Sequence, residues 1–147
     1  MSKKDLYMAE LIFNLGRFVE QPLGLGPEER LSQIPENCYI SQHIKGDYTA
    51  MTGVYGSDDV LKSFAEKYSK MDLSAEPGLM GELVADFLNL HNGLFIVNLS
   101  ESENIESTLT VPSFDPNAAP GDIFGELYSV SVEFPFGTLC FLLSESL

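Results

Sequence analysis

The sequence predicts an α+β domain, an antiparallel β-sheet with helices packed on one face, spanning residues 1–147 as a single unit. Three observations lead there. Three stretches carry apolar residues at helical spacing. Five others are rich in β-formers or alternate in polarity, several joined by short turns, which is how antiparallel strands are written. The composition, 147 residues with 44% hydrophobic and 20% charged, suits one globular domain with a core of its own.

The elements follow in order. Leu6, Ala9, Leu11, Ile12, Leu15, Phe18 and Val19 make an amphipathic helix over residues 4–20, which ends before Pro22. Glu10 and Asn14 on it are four apart and are read as structural. Residues 21–36, with Pro22, Gly24, Gly26, Pro27 and Pro35, read as a loop with a short strand or turn near Leu31. Two β-rich runs, 38–45 and 48–55, flank Gly46-Asp47 and predict a hairpin. Ser57-Asp58-Asp59 has the chemistry of a helix N-terminus, and Val60, Leu61, Phe64, Ala65 and Tyr68 form the buried stripe of a helix to about Lys70.

Residues 77–96 form the helix around which the chain is organised. Pro77 suits a first turn, where its missing N–H costs nothing. Met80, Leu83, Val84, Phe87, Leu88, Leu94 and Phe95 supply the apolar side, with His91 among them as a buried histidine. Leu94–Leu99 continue or finish the helix, and the polar stretch 100–107 reads as a turn or exposed loop. Beyond it, 108–114 alternates as an edge strand that Pro112 limits, and 115–122 is a loop. Residues 126–134 alternate cleanly, with Tyr128, Val130, Val132 and Phe134 on one face. Pro135-Phe136-Gly137 then turns the chain into a last strand from Thr138. No period-based repeat is visible.

Charge excludes several function classes. The net charge is −14, and all eight Lys and Arg residues lie at or before Lys70, so the second half is wholly acidic. Nucleic acid and anionic membranes would be repelled. No apolar run is long enough to cross a bilayer, the N-terminus makes a poor signal peptide, and a cytoplasmic location is expected. Cys38 and Cys140 lie far apart in strand-like contexts and read as buried thiols. No His/Cys spacing suggests zinc, and no phosphate-binding or dinucleotide fingerprint occurs, so neither metal nor cofactor is expected on this chain.

One helix face remains unexplained by packing. At about 100° per residue, Glu82, Asp86, Asn89 and Gly93 fall within roughly 60° of one another, opposite the apolar side. Two carboxylates, a carboxamide and a glycine are not the usual Lys/Glu/Gln surface. Asp86 and Asn89, three apart, can reach one point above the helix.

The spacing Glu-x-x-x-Asp-x-x-Asn-x-x-x-Gly, set between a hairpin-then-helix and a run of strands, resembles the CheX/CheC family of chemotaxis phosphatases, in order and character from about residue 37 onward. In that family an acidic or Ser residue is followed four later by Glu, three after that by Asn, and often further on by Gly or Pro. Glu82, Asn89 and Gly93 match, whereas Asp86 stands where the family has Glu. One copy of the motif places the chain nearer the CheX type. The resemblance implies a CheC-like fold, a homodimer, and dephosphorylation of the aspartyl-phosphate of a CheY-like response-regulator receiver. Asn89 would orient the attacking water, Asp86 would dock on the receiver's lysine, and Glu82 and Gly93 would form the binding rim. Magnesium would belong to the receiver. The alternative is a non-catalytic response-regulator or flagellar-switch binding module with the same fold, as in the FliM middle domain.

Overall fold

The computed structural model describes residues 1–117 and 123–146. Its elements are α1 (Lys3–Phe18), β1 (Gly24–Leu31), β2 (Ile40–Gly46), β3 (Ala50–Tyr55), α2 (Asp58–Ser69), a 3-10 turn (Pro77–Leu79) running into α3 (Met80–Glu103), β4 (Ser107–Leu109), β5 (Leu127–Phe134) and β6 (Gly137–Glu145). Local chemistry sets several boundaries. The Ser2 hydroxyl accepts from the Asp5 N–H at 3.1 Å and the Ser57 hydroxyl from the Val60 N–H at 3.3 Å, each satisfying a donor the first turn leaves free. Asn104, in the left-handed region at φ 56°, ends α3, a position its short polar side chain tolerates.

The six strands form one sheet in the order β1-β5-β6-β3-β2-β4, every neighbouring pair antiparallel. This order reads the same from both ends if β1 is exchanged with β4, β5 with β2 and β6 with β3. The chain is thus two α-β-β-β halves, α1 to β3 and α3 to β6, with α2 between them. Each half places its first strand beside the second strand of the other. No sequence period betrays this repeat; it exists in topology alone.

Strand pleating separates two faces. Ile40 and Ile44, Ala50 and Val54, Val132 and Phe134, and Leu139, Phe141 and Leu143 face the helices and are buried. The larger cluster adds Leu11 and Leu15 of α1, Leu61 and Phe64 of α2, and Val84, Phe87 and Leu88 of α3. Each such fully buried side chain contributes about 1.5–3 kcal/mol. Phe87 meets Phe64 and Tyr68 edge-on, at 5.3 and 5.7 Å between ring centroids, and lies parallel to the His91 ring at 6.3 Å. The opposite sheet face carries a small cluster of Cys38, Met51, Leu127 and Leu142.

The structure differs from the sequence expectation at four places. Residues 24–31 are a full edge strand, because pairing with β5 supplies the order that a Gly- and Pro-containing segment lacks; a register shift between Leu25 and Glu28 accommodates Pro27. Residues 100–103 belong to α3 rather than to a loop. The strand at 108–114 is shorter, with regular pairing only over Ser107–Leu109 and an isolated bridge from Ser113 to Ser41. Cys140 is half-buried, whereas Cys38 is buried as expected. The loop read at 115–122 falls partly outside the described residues.

His91 is fully buried, and only its Nδ1 is partnered, 2.9 Å from Asn14 Nδ2. Its Nε2 has no hydrogen-bond partner among the described residues. Burial pushes the imidazole down to about 3. Below the unfolded value of about 6.5, the unfolded chain therefore binds a proton that the folded protein does not. This contribution to stability is complete above that value and is lost as pH falls from it toward 3. Between pH 7 and pH 5 the loss should be about 2 kcal/mol. Urea denaturation of the parent and of His91→Gln checks it: the variant should lose that part of the pH dependence, and an identical slope in both would contradict it.

Candidate functional site

α3 is the longest helix at 24 residues and packs against both α2 and β2. Its buried side holds Val84, Phe87, Leu88, Phe95 and Leu99, so the residues opposite are set outward by geometry. Glu82, Asp86 and Asn89 are exposed, and Gly93 is half-buried with open space where a side chain would project. All four predicted residues therefore share one outward row. Val97, half exposed, continues it by one more turn. Among the described residues, no Lys or Arg makes an ion pair with Glu82 or Asp86. A cleft lined by Ser2, Lys4, Glu126, Tyr128 and Glu145 includes no residue of α3.

Two of the row's residues are held by partners from other elements. The Tyr68 hydroxyl, at the end of α2, donates to Asp86 Oδ2 at 2.7 Å. Burial, followed by the hydrogen bond to Asp86 and its charge, raises the Tyr68 phenol well above its ordinary value. Asp86 Oδ1 and the remaining lone pair of Oδ2 are left for a partner.

Asn89 is held from beneath. Gln42 of β2, which points toward the helices and is only 1% exposed, donates through Nε2 to Asn89 Oδ1 at 2.7 Å and to the Thr110 carbonyl at 2.8 Å. Gln42 Oε1 accepts from Asn92 Nδ2 at 2.9 Å. Asn92, fully buried one turn beyond Asn89, also donates to Thr52 Oγ1 at 2.9 Å and accepts from the Tyr7 hydroxyl at 2.6 Å. The Thr52 hydroxyl donates to the Gln42 carbonyl at 2.8 Å. A satisfied polar chain thus runs from α1 through α3 and the sheet to the outward amide. Every buried donor and acceptor in it is paired, as low-dielectric surroundings require.

Gln42, Asn92, Tyr68 and Thr110 were not legible as site residues. The available signal was composition: Gln42 is an amide in a strand of β-formers, and Asn92 lies on the apolar side of a helix. On α1, Asn14 is buried against His91 and Glu10 pairs with Asn98, so the structural reading of that helix holds. The His43 ring meets the Phe124 ring edge-on, at 5.9 Å. Among the described residues no group of three or more His, Cys, Asp or Glu is arranged to hold a metal, and no helix is long and apolar enough to cross a membrane.

No family model matches this chain, and no curated protein matches it in sequence. Solved structures do. A chain of the CheX–CheY–BeF3–Mg complex from Borrelia burgdorferi superposes with a TM-score of 0.79 at 12% identity, covering 99% of both chains. The chemotaxis protein CheX of Desulfovibrio desulfuricans gives 0.75 at 12% identity, covering 99% of this chain and 100% of that one. A chain of the FliM–SpeE complex from H. pylori gives 0.61 at 9% identity, covering 98% and 84%.

The Tyr68–Asp86 bond makes a prediction that needs no partner. Asp86→Ala should move the Tyr68 titration down toward the ordinary tyrosine value of about 10, leaving only the effect of burial. NMR of labelled tyrosine across alkaline pH reads it; an unmoved Tyr68 would show that the two side chains do not interact in solution.

Proposed function

We propose that this chain, which has the CheC-like fold shared by CheX and related chemotaxis proteins, binds a CheY-like response-regulator receiver through the outward row of α3 and promotes hydrolysis of the receiver's aspartyl-phosphate. The observation that carries this is the side-by-side exposure of Asp86 and Asn89 on the central helix, with the amide anchored to the sheet through Gln42. The likeness to a chain from a CheX–CheY complex supports the choice of partner.

Such a reaction asks little of the protein beyond placement. Water attacks phosphorus in line, the bond from phosphorus to the aspartyl oxygen breaks, and the carboxylate leaves. Asn89 holds the water, a contribution of position rather than of acid–base chemistry. Asp86 pairs with the receiver's active-site lysine, and Glu82 and Gly93 line the rim, the glycine permitting close approach. The acidic half-chain lacks cations for phosphate, so the receiver supplies both lysine and magnesium. Asp86 is one methylene shorter than the family Glu, about 1.5 Å less reach, and closer helix contact compensates.

Asn89→Ala separates this function from simple docking. Its exposed position predicts an intact fold, near-parent affinity for the phosphorylated receiver, and a rate of phosphate release lower by about 100-fold or more. A fall in affinity, with no hydrolysis by the parent to lose, would instead fit the binding-module alternative. Asp86→Ala should weaken affinity by about 1.5–3 kcal/mol, the scale of a hydrogen bond to a charged group.

We also propose a homodimer. The edge strands β1 and β4 leave backbone groups for pairing. Light scattering at high micromolar concentration should give twice the chain mass, and a monomer there would contradict it.

A further inference from the structure

The hydrogen-bond chain beneath Asn89 has a direction, and that direction fixes which end of the amide faces the partner. Amide oxygen and nitrogen are assigned from their surroundings. Here two main-chain carbonyls, which can only accept, settle every member. The Gln42 atom 2.8 Å from the Thr110 carbonyl oxygen must be nitrogen, so the Asn89 atom 2.7 Å from that same nitrogen must be oxygen. At the other end, the Thr52 hydroxyl gives its proton to the Gln42 carbonyl, so it can only accept from Asn92. Asn92 Nδ2 therefore faces Thr52 and Gln42 Oε1, leaving Asn92 Oδ1 to the Tyr7 hydroxyl. Both N–H bonds of Gln42 and both of Asn92 are used. Reversing Gln42 would set acceptor against acceptor at Asn89 and Thr110 and donor against donor at Asn92, and reversing Asn89 alone would set its Nδ2 against Gln42 Nε2.

We propose that Gln42 is a positioning residue that turns Asn89 Oδ1 inward and presents the Nδ2 amide to the partner, so that the site works as an N–H donor to an oxygen atom. Given the phosphatase function proposed above, on which this rests, that oxygen is the attacking water. Its hydrogen bond from Asn89 occupies one lone pair and leaves the other aimed at phosphorus. The same clamp restricts the exposed side chain to one rotamer. Gln42 itself is 1% exposed and does not reach the reacting atoms.

Three measurements test this. In the free protein, NMR of the side-chain amides should show the Asn89 protons exchanging rapidly with water and the Gln42 protons protected; the reverse would overturn the proposal. Asn89→Asp keeps the inward acceptor and the shape but removes the outward donor, so it should release phosphate as slowly as Asn89→Ala; parent-like release would overturn it. Gln42→Met should slow release by about 10- to 100-fold with receiver affinity unchanged, and should add nothing in an Asn89→Ala background. An equal further loss in that background would mark Gln42 as merely structural and overturn the positioning role. If the parent accelerates no receiver's decay, the phosphatase function fails, and the amide NMR still decides the orientation.

Discussion

Two amides with almost no exposure, Gln42 from β2 and Asn92 from α3, tie the central helix to the sheet at a depth where apolar contact is the rule. Close apolar packing already resists sliding of the helix. Paired amides add a directional restraint, because a small displacement leaves buried donors and acceptors without partners, at about 1–3 kcal/mol each. The rotation of α3 is set in this way. With Asn92 pinned inward, Glu82, Asp86, Asn89 and Gly93 have nowhere to point but out. Tyr7 extends the constraint to α1, and Thr110 extends it to the segment after β4.

The tie sits off the centre of a two-fold topology, on β2. Each half contributes one long helix and three strands, and β3 and β6 meet at the centre of the sheet. α1 and α3 are topological equivalents, yet they differ in composition. In α1 the amide Asn14 is buried against His91, whereas in α3 Asn92 is buried and Asn89 and Asn98 are exposed. The outward row is accordingly a feature of one half. The charge distribution follows the same asymmetry, since no Lys or Arg occurs beyond Lys70.

Much of this was legible in the residues, and what was not has identifiable causes. The three helices, the β2–β3 hairpin and the β5–β6 pair announce themselves by period, because each buries one face. The outward row was legible for the same reason: its composition fits neither a core nor an ordinary surface. β1 was not, since Gly24, Gly26 and Pro27 argue against a strand and only β5 overrules them. The helical turn at 100–103 was hidden by its polar residues. Gln42 and Tyr68 were out of reach because their importance lies in contacts 47 and 18 residues away along the chain. The two CheX structures share this fold at only 12% identity, so few of the particular residues are common to them.

The central claim is that the row on α3 acts on a phosphorylated receiver. Its most direct test is the decay of a panel of phosphorylated CheY-like receivers, followed with and without this protein in the presence of magnesium. The account predicts that at least one receiver loses its phosphoryl group faster when the protein is added at substoichiometric concentration, with turnover. Unchanged decay across the panel, at protein concentrations that saturate binding, would contradict it.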